Sequence, residues 1–146
     1  MLLRGLVVGA SADGAVTTLT SPYPIDYAEG LSFSPDNRHL AFVSVKEGLW
    51  PGATIRAHRR VSLDGQPGSD YDALGLSELV FSGDSNHLAY LVHDPGNKKH
   101  SLVLDCREAK HSGEILYGSL KFNDTSGFVY VAREGRRYLR VTQPIQ

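Results

Sequence analysis

Short apolar runs punctuate the chain. They lie between clusters of Gly, Pro, Asp, Asn and Ser that recur roughly every eight to twelve residues, the spacing of short antiparallel strands and their turns. Leu31 and Phe33 fall on one face of such a strand. Ser34-Pro35-Asp36-Asn37 then supplies a turn, in which Pro presets φ and the Asp carboxylate can accept backbone N–H groups two residues on. The next segment, Leu40 to Val45, is apolar on both faces, with Leu40 and Phe42 on one and Ala41, Val43 and Val45 on the other. A strand of this kind must be covered on both sides, whereas a sheet with one wet face alternates apolar and polar residues. Leu88 to Val92 has the same character. Val61-Ser-Leu-Asp64-Gly65 reads as a strand running into an Asp-Gly hairpin turn, followed by a more polar outer segment around Ser69 to Asp72.

These elements repeat. Leu31-Ser-Phe-Ser-Pro-Asp-Asn-Arg-His-Leu-Ala-Phe-Val43 and Leu79-Val-Phe-Ser-Gly-Asp-Ser-Asn-His-Leu-Ala-Tyr-Leu91 share Leu, Phe, Ser, Asp, His, Leu and Ala at matching positions. A weaker copy, Leu120-Lys-Phe-Asn-Asp-Thr-Ser-Gly-Phe-Val-Tyr-Val131, keeps the Leu-x-Phe start and the polar turn but is one residue shorter. The first aromatics of the copies, Phe33, Phe81 and Phe122, are 48 and 41 residues apart. That is the period of a four-stranded blade, about 40 to 50 residues. Leu6-Val-Val with Asp13-Gly14 and Leu19-Thr20 carries the third-strand signature, so residues 1–20 read as part of a preceding blade. Blade repeats are expected near 29–72, 77–117 and 119–142 of a single domain spanning 1–146. Ser21-Pro-Tyr-Pro24 and Leu49-Trp-Pro-Gly52 read as irregular loops.

The run starting at Phe33, with Ala12-Asp13-Gly14 and Leu19-Thr20 before it and Tyr71-Asp72-Ala73 ahead of the second copy, resembles the TolB-like and WD-repeat-like β-propeller repeat. The likeness covers nearly the whole chain, although the third copy replaces Ser-Pro-Asp with Asn123-Asp124-Thr125-Ser126. It implies an all-β fold of four-stranded antiparallel blades, about three per chain, and a scaffold role, because propellers host unrelated functions. Propellers usually close with roughly four to eight blades. Three leave edge strands and apolar blade faces exposed, so closure as a dimer is expected, with a missing remainder or an open solenoid-like stack as the alternatives.

Composition narrows the function classes. At 146 residues there is no room for a fused catalytic domain, and 41% hydrophobic residues suffice for a core. A net charge of -1 gives no global attraction to nucleic acid or an acidic membrane. The one cysteine, Cys106, excludes an internal disulfide and a Cys-based zinc cluster. No run approaches a membrane span, and the apolar stretch at Leu6-Val-Val is too short for a signal-peptide core, which leaves the compartment open with the cytoplasm favoured.

Chemistry is sparse. Gly-x-Ser-x-Gly does not occur, and Gly9-Ala-Ser11-Ala-Asp13-Gly14 is one residue out of register. His87, His93, His100 and His111 lie close in sequence but never at a spacing that puts two ligands on one short element, and His39 and His87 occupy equivalent repeat positions, so no metal or cofactor is expected. Asp70 and Asp72 fall on one face of an extended segment and offer a calcium pair or a catalytic pair as the minor alternative to a solvated junction. Asp36, Asp84 and Asp124 recur as structural turn residues. Arg133-Glu-Gly-Arg-Arg-Tyr-Leu-Arg140 reads as a solvated hairpin. The favoured binding surface is Trp50 with Arg56, His58 and Arg60, in the insertion that lengthens the first repeat. The expectation is a non-catalytic scaffold that binds a protein or peptide and self-associates. Its alternatives are an accessory domain or fragment of a peptidase-like hydrolase, and a sugar-binding or glycosidase-like propeller.

Overall fold

A computed structural model describes residues 4–10, 16–24, 26–50, 54–71, 76–94, 99–109, 113–124 and 127–145; side chains are described for 26–48, 58–69, 79–93, 99–109, 113–124 and 127–145. The chain is all-β, with no helix among the described residues. It divides into two compact units, Met1–Ala73 and Leu74–Gln146.

In the first unit, β1 (Arg4–Ala10) and β2 (Val16–Pro24) form a two-stranded antiparallel ribbon. A four-stranded antiparallel sheet follows in simple order: β3 (Tyr27–Phe33), β4 (Leu40–Trp50), β5 (Thr54–Leu63) and β6 (Gln66–Tyr71). Ser21–Pro24 and Leu49–Trp50, read as loops from their Pro and Gly content, belong to strands. Among the described residues the strand that Pro24 ends pairs with β1 alone, so its missing N–H interrupts no second ladder, and Trp50 continues an unbroken ladder down to its pairing with Thr54. Leu40, Ala41, Phe42, Val43, Ser44 and Val45 are all buried, as the two-faced apolar pattern of this strand requires. Leu40 and Phe42 pack with Ala28.

The second unit holds two four-stranded sheets. In one, β7 (Leu76–Phe81), β8 (Leu88–Asp94), β9 (Lys99–Leu104) and β10 (Arg107–Glu108) again run in sequential order. In the other, β13 (Gly127–Glu134) is central. On one side it pairs with β14 (Arg137–Gln143), and on the other with two short strands end to end, β11 (Glu114–Ile115) and β12 (Lys121–Asn123). The two sheets share one core. Ala89, Leu91 and Leu102 of the first meet Ile115, Phe128, Tyr130 and Ala132 of the second, and Phe122 lies edge-on to Phe128 at 5.4 Å. Full burial of a side chain such as Phe128 contributes about 1.5–3 kcal/mol.

The first strand breaks at the same place in all three sheets. One extra residue enters between Glu29 and Ser32, where Gly30 has φ +63°, and one between Ser77 and Val80. In the third sheet the interruption grows to the turn that separates β11 from β12, with Gly118 at φ +81° and a Ser119 N–H bond to the Leu116 carbonyl. The halves β11 and β12 therefore occupy the place of β3 and β7. A bulge bends and twists a strand, and its recurrence ties the three sheets into one repeat.

Candidate functional site

Each of the first two sheets is pinned at the same corner by the same side chains. In the first, Ser34 Oγ donates to Asp36 Oδ1 at 2.5 Å and accepts the His39 backbone N–H at 2.9 Å, and Asp36 Oδ1 also takes the Arg38 N–H at 3.0 Å. Asn37 closes the turn in the left-handed region, at φ +58°, which Asn tolerates well. The imidazole of His39 meets Asp64 across the sheet, Nδ1 to Oδ2 at 2.6 Å, and Asp64 Oδ1 accepts the Leu40 N–H at 2.9 Å. An ionised carboxylate only accepts, so Nδ1 carries the proton. In the second sheet Ser82 donates to Asp84, which takes the Asn86 N–H. His87 Nδ1 lies 2.7 Å from Asp105, and the Leu88 N–H reaches Asp105 at 3.0 Å. The hydrogen bonds from Ser82 and then from Asn86 hold the Asp84 carboxyl below its usual range.

Ser, His and Asp are the residues of a nucleophilic triad, but here they form a turn clasp. The hydroxyl gives its proton to Asp36 or Asp84 rather than to an imidazole, and each imidazole is turned to the acid of the opposite hairpin. Asp64 and Asp105, whose clasp role is not apparent from the sequence pattern, each occupy the first position of a two-residue turn. Both turn residues have positive φ, Asp64-Gly65 at +52° and +80° and Asp105-Cys106 at +48° and +64°. The third sheet lacks the clasp: the strand registers put Gly127 where His39 and His87 stand, and Gln143 where Asp64 and Asp105 stand. Asp124 is exposed at the end of β12, and with Asp84, Gly83 and Phe122 it lines an open cleft of about 600 Å³.

The lengthened hairpin of the first sheet gathers the residues expected to bind. β4 and β5 pair without a break from Ala41–Leu63 to Trp50–Thr54, whereas β8 and β9 pair only from Ala89–Leu104 to Asp94–Lys99. Side chains alternate along a strand, so positions Trp50, Arg56, His58 and Arg60 share one face of the hairpin, with Gly48, Lys46 and Ser44 opposite the last three. Asp70 pairs with Arg60 in register, which puts it on that face as well. Asp72 lies outside the described residues. Lys46 is bound to Asp26 at 2.8 Å, and this contact, ahead of the Glu47 N–H, holds the Asp26 carboxyl below its usual range. Arg59, part of the same basic stretch, lies on the other face and is tied to Glu29 at 3.0 Å.

Chain spacing hides one further juxtaposition. His93 and His100 are direct cross-strand partners on β8 and β9, with ring centres 4.9 Å apart. Cys106 is exposed. Comparison of the chain with family models, with curated proteins and with solved structures finds no match.

Proposed function

We propose that this chain is a non-catalytic repeat scaffold of β-propeller type that binds a protein or peptide, with the lengthened β4–β5 hairpin as its contact surface. The observation carrying this reading is that the hairpin outgrows its counterpart in the second sheet and collects Trp50, Arg56, His58 and Arg60 on one face. A hairpin extended beyond what its sheet needs for pairing is available for recognition. A Trp position and three basic positions on one strand face suit an acidic segment with an apolar anchor. The wiring of Ser34 and Ser82 into turns supports a structural role for these two hydroxyls.

Self-association belongs to the same proposal. Three blades are fewer than the roughly four needed to close a propeller. Edge strand β3 leaves Tyr27, Leu31 and Phe33 exposed, and β14 leaves Tyr138 and Leu139 exposed. The partner-binding test is affinity capture from the source cell with the wild-type chain and with Trp50→Ala/Arg60→Ala. A partner retained by the wild type and lost by the variant is expected, while an unchanged set of partners would refute the assigned surface.

A further inference from the structure

We infer that His93 and His100 form a two-imidazole chelate for a divalent transition-metal ion of the borderline class, such as Zn²⁺ or Ni²⁺. The two residues lie directly opposite each other on β8 and β9, and their rings are tilted at 47°. Both Nδ1 atoms are buried and neither has a hydrogen-bond partner. A buried polar atom without a partner carries its full desolvation penalty, and two such atoms side by side double it. One cation shared between them would satisfy both lone pairs, and imidazole is a preferred ligand of Zn²⁺, Ni²⁺ and Cu²⁺. Two nitrogens on one tetrahedral ion, each at about 2.0–2.1 Å, stand about 3.3 Å apart, a separation compatible with rings centred 4.9 Å apart.

The surroundings favour a neutral, ligating imidazole. Burial, and then the neighbouring His93, hold the pKa of His100 below the usual imidazole value, against the pull of the Glu114 carboxylate and a hydrogen bond with the Ile115 backbone. Metal binding requires that neutral form. Glu114 supplies negative charge nearby and is itself held by Arg133 at 2.6 Å. Among the described residues no group of three His, Cys, Asp or Glu is placed to hold a metal ion, so water completes the coordination and the ion should exchange readily.

Zn²⁺ titration of the full chain by calorimetry tests the inference. One saturable site per chain is expected, with affinity falling roughly ten-fold or more in His93→Gln and in His100→Gln and unchanged in Cys106→Ser. Wild-type affinity in the His93→Gln/His100→Gln chain, or no saturable binding at millimolar Zn²⁺, would overturn it. Should the variants fail to fold, substoichiometric Ni²⁺ added to the wild-type chain should broaden the imidazole NMR signals of His93 and His100 first. Broadening that begins at any other histidine would overturn the assignment.

Discussion

Replacing Asp64 by Ala should destabilise the first unit far more than replacing its partner His39. Asp64 Oδ1 is the acceptor for the Leu40 N–H, and Leu40 is only 4% exposed. The Asp64 N–H already donates to the Leu40 carbonyl, so the carboxylate completes the last rung of the β4–β5 ladder. Stranding a buried amide costs about 1–3 kcal/mol. Placing Ala at φ +52° adds roughly 1–2 kcal/mol, because Asp tolerates the left-handed region and Ala does not. Both side chains of the His39–Asp64 pair are more than a third exposed, so the pair itself is worth only about 0–1 kcal/mol. Asp64→Ala should therefore cost about 2–5 kcal/mol, and His39→Ala about 1 kcal/mol or less. Asp64→Asn keeps the acceptor and suits the backbone, so its cost should also be about 1 kcal/mol or less. Urea unfolding of the full chain, followed by a probe in the first unit, measures all three. Equal losses for Asp64→Ala and His39→Ala, or an Asn variant as damaged as the Ala variant, would refute amide capping as the role of the carboxylate. The same order is expected for Asp105 and His87 in the second unit.

Cys106 holds φ +64° in the turn position that glycine fills at Gly65, so Cys106→Gly should stabilise the chain by about 0.5–1 kcal/mol in the same unfolding assay; a loss of stability would contradict the turn geometry. Gly127→Ala should be strongly destabilising, by about 3 kcal/mol or more, because φ is +114° and a Cβ would come within 2.3 Å of the Gln143 carbonyl oxygen; melting within a few degrees of wild type would count against the β13–β14 register. Stability should also depend on pH in a defined direction. Asp26 and Asp84 lie below the usual carboxylate range and His100 below 6.5, so each contributes stability at neutral pH that is lost on acidification, His100 first. Burial holds Tyr130 above 10.0, so its contribution is lost as pH rises past that value. Melting temperature against pH should therefore fall on both sides of a neutral plateau, and a rise between pH 7 and pH 5 would contradict these signs.

What could be read from the sequence was whatever recurs locally. The two-faced apolar strands at Leu40–Val45 and Leu88–Val92, the Ser-x-Asp turns before them and the turn at Asp64-Gly65 all follow from period and turn chemistry. The clasp was harder to see because its two halves sit in different hairpins. His39 and Asp64 are 25 residues apart, His87 and Asp105 only 18, and the difference is the extra length of the β4–β5 hairpin. A repeat search compares fixed offsets and loses such a pair. The third copy was blurred for a related reason: its first strand is split by the β11–β12 turn, and Gly127 and Gln143 replace the clasp residues. His93 and His100 are adjacent only through strand register, which chain spacing does not encode.

Whether the repeated sheets complete a ring with a second chain is answered most directly by sedimentation equilibrium at micromolar concentration. Closure of a propeller-type scaffold by self-association predicts a particle of twice 15.9 kDa that persists on dilution. A stable species of 15.9 kDa across the whole concentration range would contradict it.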